Sequence, residues 1–231
     1  MTHPLDQISP AEIEKAVDLY KSHEKFDEKT IFSNISLVEP EKQHLREHEA
    51  TQKIPRILKI VGIDSEPDGG FLALVNLTED KVDVERVSGQ AQVQYTIAEI
   101  YMAIELTKAN KEYQEALGKR GITDMDLVSI DPWPAGGIVH ESIEKGHRSF
   151  KTISFIKEDK TDNKYAKPIN GVISHVDLTL MEVTHVEDHG VVQIPKGKAR
   201  YDAESQAELR EQPNQIDITQ PDGPGFEIEG N

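Results

Sequence analysis

Histidine pairs offer the first spacing in this chain that could do chemistry. His44 and His48 stand at i, i+4 in H-L-R-E-H. On a helix that puts both rings on one face, with Glu47 and Glu49 near enough to add a carboxylate to a metal site. They lack the H-E-x-x-H arrangement that carries its own base, and the charged crossing Glu41–Gln52 around them reads as a solvated loop. His185 and His189 share the spacing but fall on a strand and its end, where alternation does not pair them, so they read as structural. With no cysteine, disulfides, thiolate metal sites and cysteine nucleophiles are excluded together. The sequence shows no G-x-S-x-G elbow, no phosphate-cradling loop and no dinucleotide fingerprint. Carboxylates are abundant, but no two are singled out to hold opposite protonation states. On its own residues the chain does not read as catalytic.

One side chain still stands apart. Trp133, the only tryptophan, sits in D-P-W-P at Asp131–Pro134. Each proline fixes its own φ, and Trp133 precedes one, so the segment reads as a rigid elbow with extended backbone. An aromatic held this way is either a core plug, the commoner case, or the wall of a pocket.

Charge and length limit what such a pocket could serve. A formal charge of −16 lacks the clustered Lys and Arg that phosphate backbones require, and it disfavours anionic membranes. It would steer a cationic partner inward, although acidity is more often a solubility device. No stretch approaches the ~20 apolar residues of a membrane span, and the start, M-T-H-P-L-D-Q, shows no signal peptide. The expectation is a cytoplasmic protein, or a periplasmic one if a leader was removed.

The elements that would position these residues come in two similar sets. Ser9-Pro10-Ala11-Glu12 opens a helix with a capping box, carried on by Ile13, Ala16, Val17 and Tyr20 at helical spacing. Strand-like runs follow at Thr30–Val38, Arg56–Ile63, Phe71–Leu77 and Lys81–Val87, with turns at Asp68-Gly69-Gly70 and Thr78-Glu79-Asp80. A second helix is expected from Ile97 to about Leu117, with Ile100 and Ile104 facing inward and Gly118 or Gly121 ending it. Strands are then expected at Asp126–Ile130, Ser149–Ile156, Gly171–Asp177 and Glu182–Glu187. The fold predicted is α+β: two tandem units of one helix on a four-stranded antiparallel sheet, spanning 1–90 and 91–200. The polar, proline-bearing segment 201–231 reads as an extended linker or docking tail.

Five blocks, in order along nearly the whole chain, resemble the N-terminal region of copper- and topaquinone-dependent primary amine oxidases. They are H-P-L-D-Q-I-S-P-A-E-I at His3–Ile13, R-G-I-T-D-M-D-L-V-S-I-D-P-W-P-A-G at Arg120–Gly136, D-N-K-Y-A-K-P-I-N-G-V at Asp162–Val172, V-D-L-T-L-M-E-V-T-H-V-E-D-H-G-V-V-Q-I-P at Val176–Pro195, and Q-P-D-G-P-G-F-E-I-E-G-N at Gln220–Asn231. The resemblance implies two cystatin-like domains at the periphery of a catalytic β-sandwich that oxidises primary amines to aldehyde, ammonia and hydrogen peroxide. It also implies the requirements of that chemistry: a tyrosine after asparagine for the quinone, an H-x-H pair plus a distant histidine for copper, and an aspartate base. Here no tyrosine follows an asparagine and no H-x-H exists. Copper and topaquinone are therefore expected in a catalytic partner, in a dimeric assembly, with the amine at the interface and this chain as a non-catalytic, tyramine-type small subunit or fragment. By the same resemblance Trp133, Tyr165 and Ile100 would line the substrate channel and favour aralkyl amines. Pro134 replaces the small residue common in relatives. The alternative is a stand-alone cystatin-like binding module that takes a peptide along a sheet edge.

Overall fold

Ser9 caps the first helix, α1 (Pro10–Lys21), by accepting from the Glu12 amide while the Glu12 carboxylate accepts from the Ser9 amide. The apolar face of α1 follows from its spacing: Ala16 and Tyr20 are fully buried. The protein is described by a computed structural model covering residues 3–46, 54–65, 69–87, 92–197, 199–211, 213–223 and 225. After α1 come β1 (Ile31–Leu37), a short helix α2 (Lys42–Arg46), β2 (Ile57–Ile63), β3 (Gly70–Asn76) and β4 (Lys81–Arg86), forming an antiparallel sheet in the order β1-β2-β3-β4. Alternate residues of β2 and β3 (Leu58, Ile60, Phe71, Ala73 and Val75) point toward α1, and Tyr20 stacks on Phe71 with ring centroids 4.9 Å apart. Gly62 is required there: a Cβ would stand 2.5 Å from the Phe71 ring and 2.8 Å from the Ile31 carbonyl oxygen.

The second unit repeats the plan. Thr96 and Glu99 form a second capping box at the start of α3 (Ile97–Ala109). The single long helix expected from the sequence is broken. At Asn110 the backbone is extended, and its side chain accepts from the Tyr113 amide to start α4 (Lys111–Gly118). The chain leaves α4 through Gly121 at φ 77, with the Ile122 amide returned to the Leu117 carbonyl. Four strands then form the second sheet in the order β5-β6-β7-β8: β5 (Val128–Pro134), β6 (Ser149–Ile156), β7 (Val172–Asp177) and β8 (Glu182–Asp188). Tyr113, Leu117, Val128, Ile130, Val172 and Val186 close its core beneath α4, and Ala103, Phe150, Val176 and Leu178 close it beneath α3.

Two expectations change on the structure. The D-P-W-P segment is the end of β5, not an elbow: Trp133 pairs with Lys151 and Pro134 with Phe150. Its prolines are tolerated because β5 is an edge strand, where a missing N–H costs no ladder bond on the open side. The crossing at 41–52 holds a helical turn, α2; Glu47, His48 and Glu49 lie outside the described residues, as does Asp68 of the first hairpin turn. Beyond residue 200 the described chain carries a 3-10 turn at Ala203–Ser205 and a turn that the Gly223 amide closes on the Gln220 carbonyl, and no strand among the described residues.

Candidate functional site

Alternation along β5 sends Val128 and Ile130 to the helices and Ser129, Asp131 and Trp133 to the opposite, helix-free face of the second sheet. Lys151, Ile153 and Phe155 of β6 join them there. Tyr165 reaches the same face from a 3-10 turn (Lys164–Ala166) started by Asn163, whose side chain accepts from the Tyr165 amide. The Tyr165 ring stands edge-on to Phe155 at 5.1 Å and 83°. Lys164 ties the two aromatics into one surface. Its Nζ pairs with the Asp131 carboxylate, two residues before Trp133, and lies 4.7 Å from the Tyr165 ring centroid. That carboxylate hydrogen bond raises the Lys164 pKa, so the ammonium stays charged. Trp133 and Tyr165 remain 59% and 58% exposed, too open for core plugs and available to a ligand or partner.

Ile100 is not brought to this face. It lies half-buried on α3 against Ala103, Phe150 and Val176, on the helix side of the sheet. The structure thus brings two of the three residues singled out by resemblance to one face and leaves the third half-buried on the helix side of the sheet.

Farther along the same face is a cluster that local spacing did not reveal. His175 of β7 pairs across the ladder with His185 of β8, and His140 from the β5–β6 loop stacks on His185 at 4.3 Å between centroids. Ser142 bonds Thr184 at 2.9 Å and fastens the loop beside it. Glu187 sits between His175 and His189, at 2.5 and 2.7 Å. Those bonds hold its carboxyl at about 2, while burial lowers the His175 pKa. His185 stacks on His140, whereas His189 lies just past the end of β8 and bonds the Glu187 carboxylate. His44 lies in α2. Among the described residues no three His, Asp or Glu side chains converge in a metal-binding arrangement. Without an Asn-Tyr quinone precursor or an H-x-H pair either, these residues do not fit copper or topaquinone, and no chemical step is assigned to them.

Two family models match: copper amine oxidase N2 domain over residues 3–87 and copper amine oxidase N3 domain over residues 98–206. The chain belongs to the copper amine oxidase family. Its two sheets are the N2 and N3 domains of that family's N-terminal region. A primary amine oxidase of Arthrobacter sp. (strain P1) is 30% identical over 100% of this chain and 35% of its own length. Histamine oxidase of Arthrobacter globiformis is 29% identical over 99% of this chain and 34% of its own length. The crystal structure of a copper-containing benzylamine oxidase from Hansenula polymorpha superposes with a TM-score of 0.70 at 17% identity, covering 99% of this chain and 38% of that one, which shows the shared fold. The N2–N3 pair thus spans about a third of the length of the curated relatives it matches.

Proposed function

We propose that this N2–N3 pair is the non-catalytic N-terminal part of a copper-dependent primary amine oxidase. It scaffolds the catalytic part and shapes the entrance through which the amine arrives. The observation that carries the reading is the exposed Trp133–Asp131–Lys164–Tyr165 surface on the N3 sheet, built into a chain that lacks copper and quinone residues. Copper and topaquinone belong to the catalytic part, which joins this chain in a dimeric assembly.

Trp133 and Tyr165 form the rim of the channel. Two aromatic faces favour an aralkyl amine such as tyramine over a short aliphatic one, through ring contacts worth about 0.5–1.5 kcal/mol each beyond area burial. The relatives are named for diverse amines, histamine and benzylamine among them, so preference is set locally. The test is kcat/KM for tyramine and for methylamine, measured on the assembled oxidase with Trp133→Ala and Tyr165→Ala. The expected result is a fall of about 5-fold or more in the tyramine-to-methylamine ratio per substitution, the equivalent of about 1 kcal/mol. An unchanged ratio refutes the rim.

A further inference from the structure

The two domains repeat each other down to individual hydrogen bonds. In N2, the Arg56 guanidinium grips the capping-box Glu12 at 2.7 Å, and its backbone amide donates to Thr78 Oγ1 at 2.9 Å. In N3, Arg148 grips the capping-box Glu99 at 2.6 Å and its amide donates to Thr179 Oγ1 at 3.1 Å. Asn76 in N2 and Asp177 in N3 each accept from the two amides of the following turn. The sequence carries the same register, S-P-A-E-I against T-I-A-E-I and N-L-T against D-L-T. Buried positions agree too, Ala16 with Ala103 and Tyr20 with Thr107. Each position on α1 and on the β3–β4 turn therefore has a defined counterpart on α3 and on the β7–β8 turn.

On one patch the counterparts differ in kind. N2 presents Pro10, Glu14 and Lys15 on α1, and Glu79 and Asp80 at the β3–β4 turn, with Lys15 bridging Asp80 at 2.7 Å. N3 presents Ile97, Tyr101 and Met102 on α3, and Leu180 and Met181 at the β7–β8 turn. These side chains are exposed by 67, 65, 39, 55 and 46%. The charged, self-satisfied surface of N2 has become apolar and open in N3. The change also costs backbone energy: Asp80 and Met181 both lie at positive φ, 54 and 61. Asp tolerates that conformation, and Met does not, by roughly 1 kcal/mol. An apolar side chain kept at a position that disfavours it, beside other exposed apolar residues, marks a surface that is covered in use.

We infer that this N3 patch (Ile97, Tyr101, Met102, Leu180 and Met181) is the docking face for the part of a copper amine oxidase that this chain does not contain. This rests on the reading above. The relatives extend this chain about threefold, so a much larger body must seat on the pair. The Asn163 amide holds the Ala199 carbonyl at 2.7 Å against the second domain, and of the two domains only N3 has the apolar version of the patch. The helix and the turn supply the apolar centre of that face.

The N2 counterparts supply the test, because they are residues this backbone already accommodates. A quadruple variant, Tyr101→Glu, Met102→Lys, Leu180→Glu and Met181→Asp, gives N3 the charged surface of N2. The full chain should keep or raise its melting temperature, since the positive-φ position gains an Asp and the Lys–Asp bridge becomes available. Its association with the copper- and quinone-bearing chain purified from the same cells, read by surface plasmon resonance, should weaken at least 100-fold. The control, Lys15→Met with Asp80→Met in N2, should leave association unchanged. If the wild-type chain does not associate, the amine oxidase reading fails and the docking face with it. If wild type and quadruple variant associate equally, only the docking face fails. Concentration-dependent self-association of the wild-type chain that the variant abolishes would assign the face to a second copy and overturn the proposal.

Discussion

Replacing Arg148 with Met should destabilise N3 far more than the matching Arg56→Met destabilises N2. Arg148 is 7% exposed. Its guanidinium makes two bonds to Glu99, one to the Val93 carbonyl and one to Gln92, and stacks 4.2 Å over the Tyr95 ring. A Met fills part of the space but leaves the Glu99 carboxylate and the Val93 carbonyl without their cation. Glu99 is only 14% exposed at its side chain, so the loss approaches that of breaking a buried pair, about 3–4 kcal/mol. At the N2 latch the side chains of Arg56 and Glu12 are 18% and 28% exposed, and water partly replaces the lost bonds. There about 1–2 kcal/mol is expected. Trp133 lies in N3, so urea unfolding followed by tryptophan fluorescence reports that domain, and far-UV circular dichroism reports both. The latch also has a pH signature. Burial alone would raise the Glu99 pKa, but the Arg148 pair and the Thr96 amide lower it overall. A depressed carboxyl contributes stability above its unfolded value, near 4.3, and loses it as pH falls through the folded value. The wild type should therefore lose more fluorescence-detected stability between pH 6 and 3 than Arg148→Met does. Equal losses for Arg148→Met and Arg56→Met, or under about 1 kcal/mol for the former, would refute the argument.

Three other perturbations follow from the packing. Tyr113→Phe removes the 2.6 Å bond to the buried Ser154 hydroxyl and should cost about 1–2 kcal/mol in urea unfolding; burial pushes the Tyr113 phenol up to about 12, so the wild type should show no phenolate transition from this residue below pH 11. Gly62→Ala drives a Cβ into the Phe71 ring and the Ile31 carbonyl and should cost about 1–3 kcal/mol, while Gly118→Ala, which meets nothing within 4 Å, should be neutral or stabilising. Glu187→Gln removes the carboxylate held at about 2 by His175 and His189; stability from that charge is present above the ordinary carboxyl range and fades as pH falls toward 2, so wild type and variant should converge in melting temperature at acid pH and differ at pH 6.

The fold was legible because its signals are local. Ser9 and Glu12 announce α1, strand alternation gives each sheet its inner face, and Gly121 marks where α4 ends. The break between α3 and α4 was written in Asn110, a helix-starting residue inside an otherwise continuous helical period, and the period hid it. Trp133 was misplaced on an elbow because two prolines speak for a turn only when strand order is unknown; on an edge strand they are harmless. The proposed channel rim could be named only through resemblance, since the Asp131–Lys164 pair that joins Trp133 to Tyr165 is distant in sequence. The histidine stack of His140, His175 and His185 is likewise set by cross-strand register and a loop, and no spacing within one segment reveals it.

Whether this pair works as the non-catalytic part of a copper amine oxidase is decided by isolating the tagged chain from its native cells under mild conditions. The eluate is assayed for copper, quinone staining and peroxide release with tyramine. A co-purifying catalytic part carrying copper and quinone is expected, with peroxide release that depends on tyramine. A clean monomer without copper, quinone or activity would contradict it.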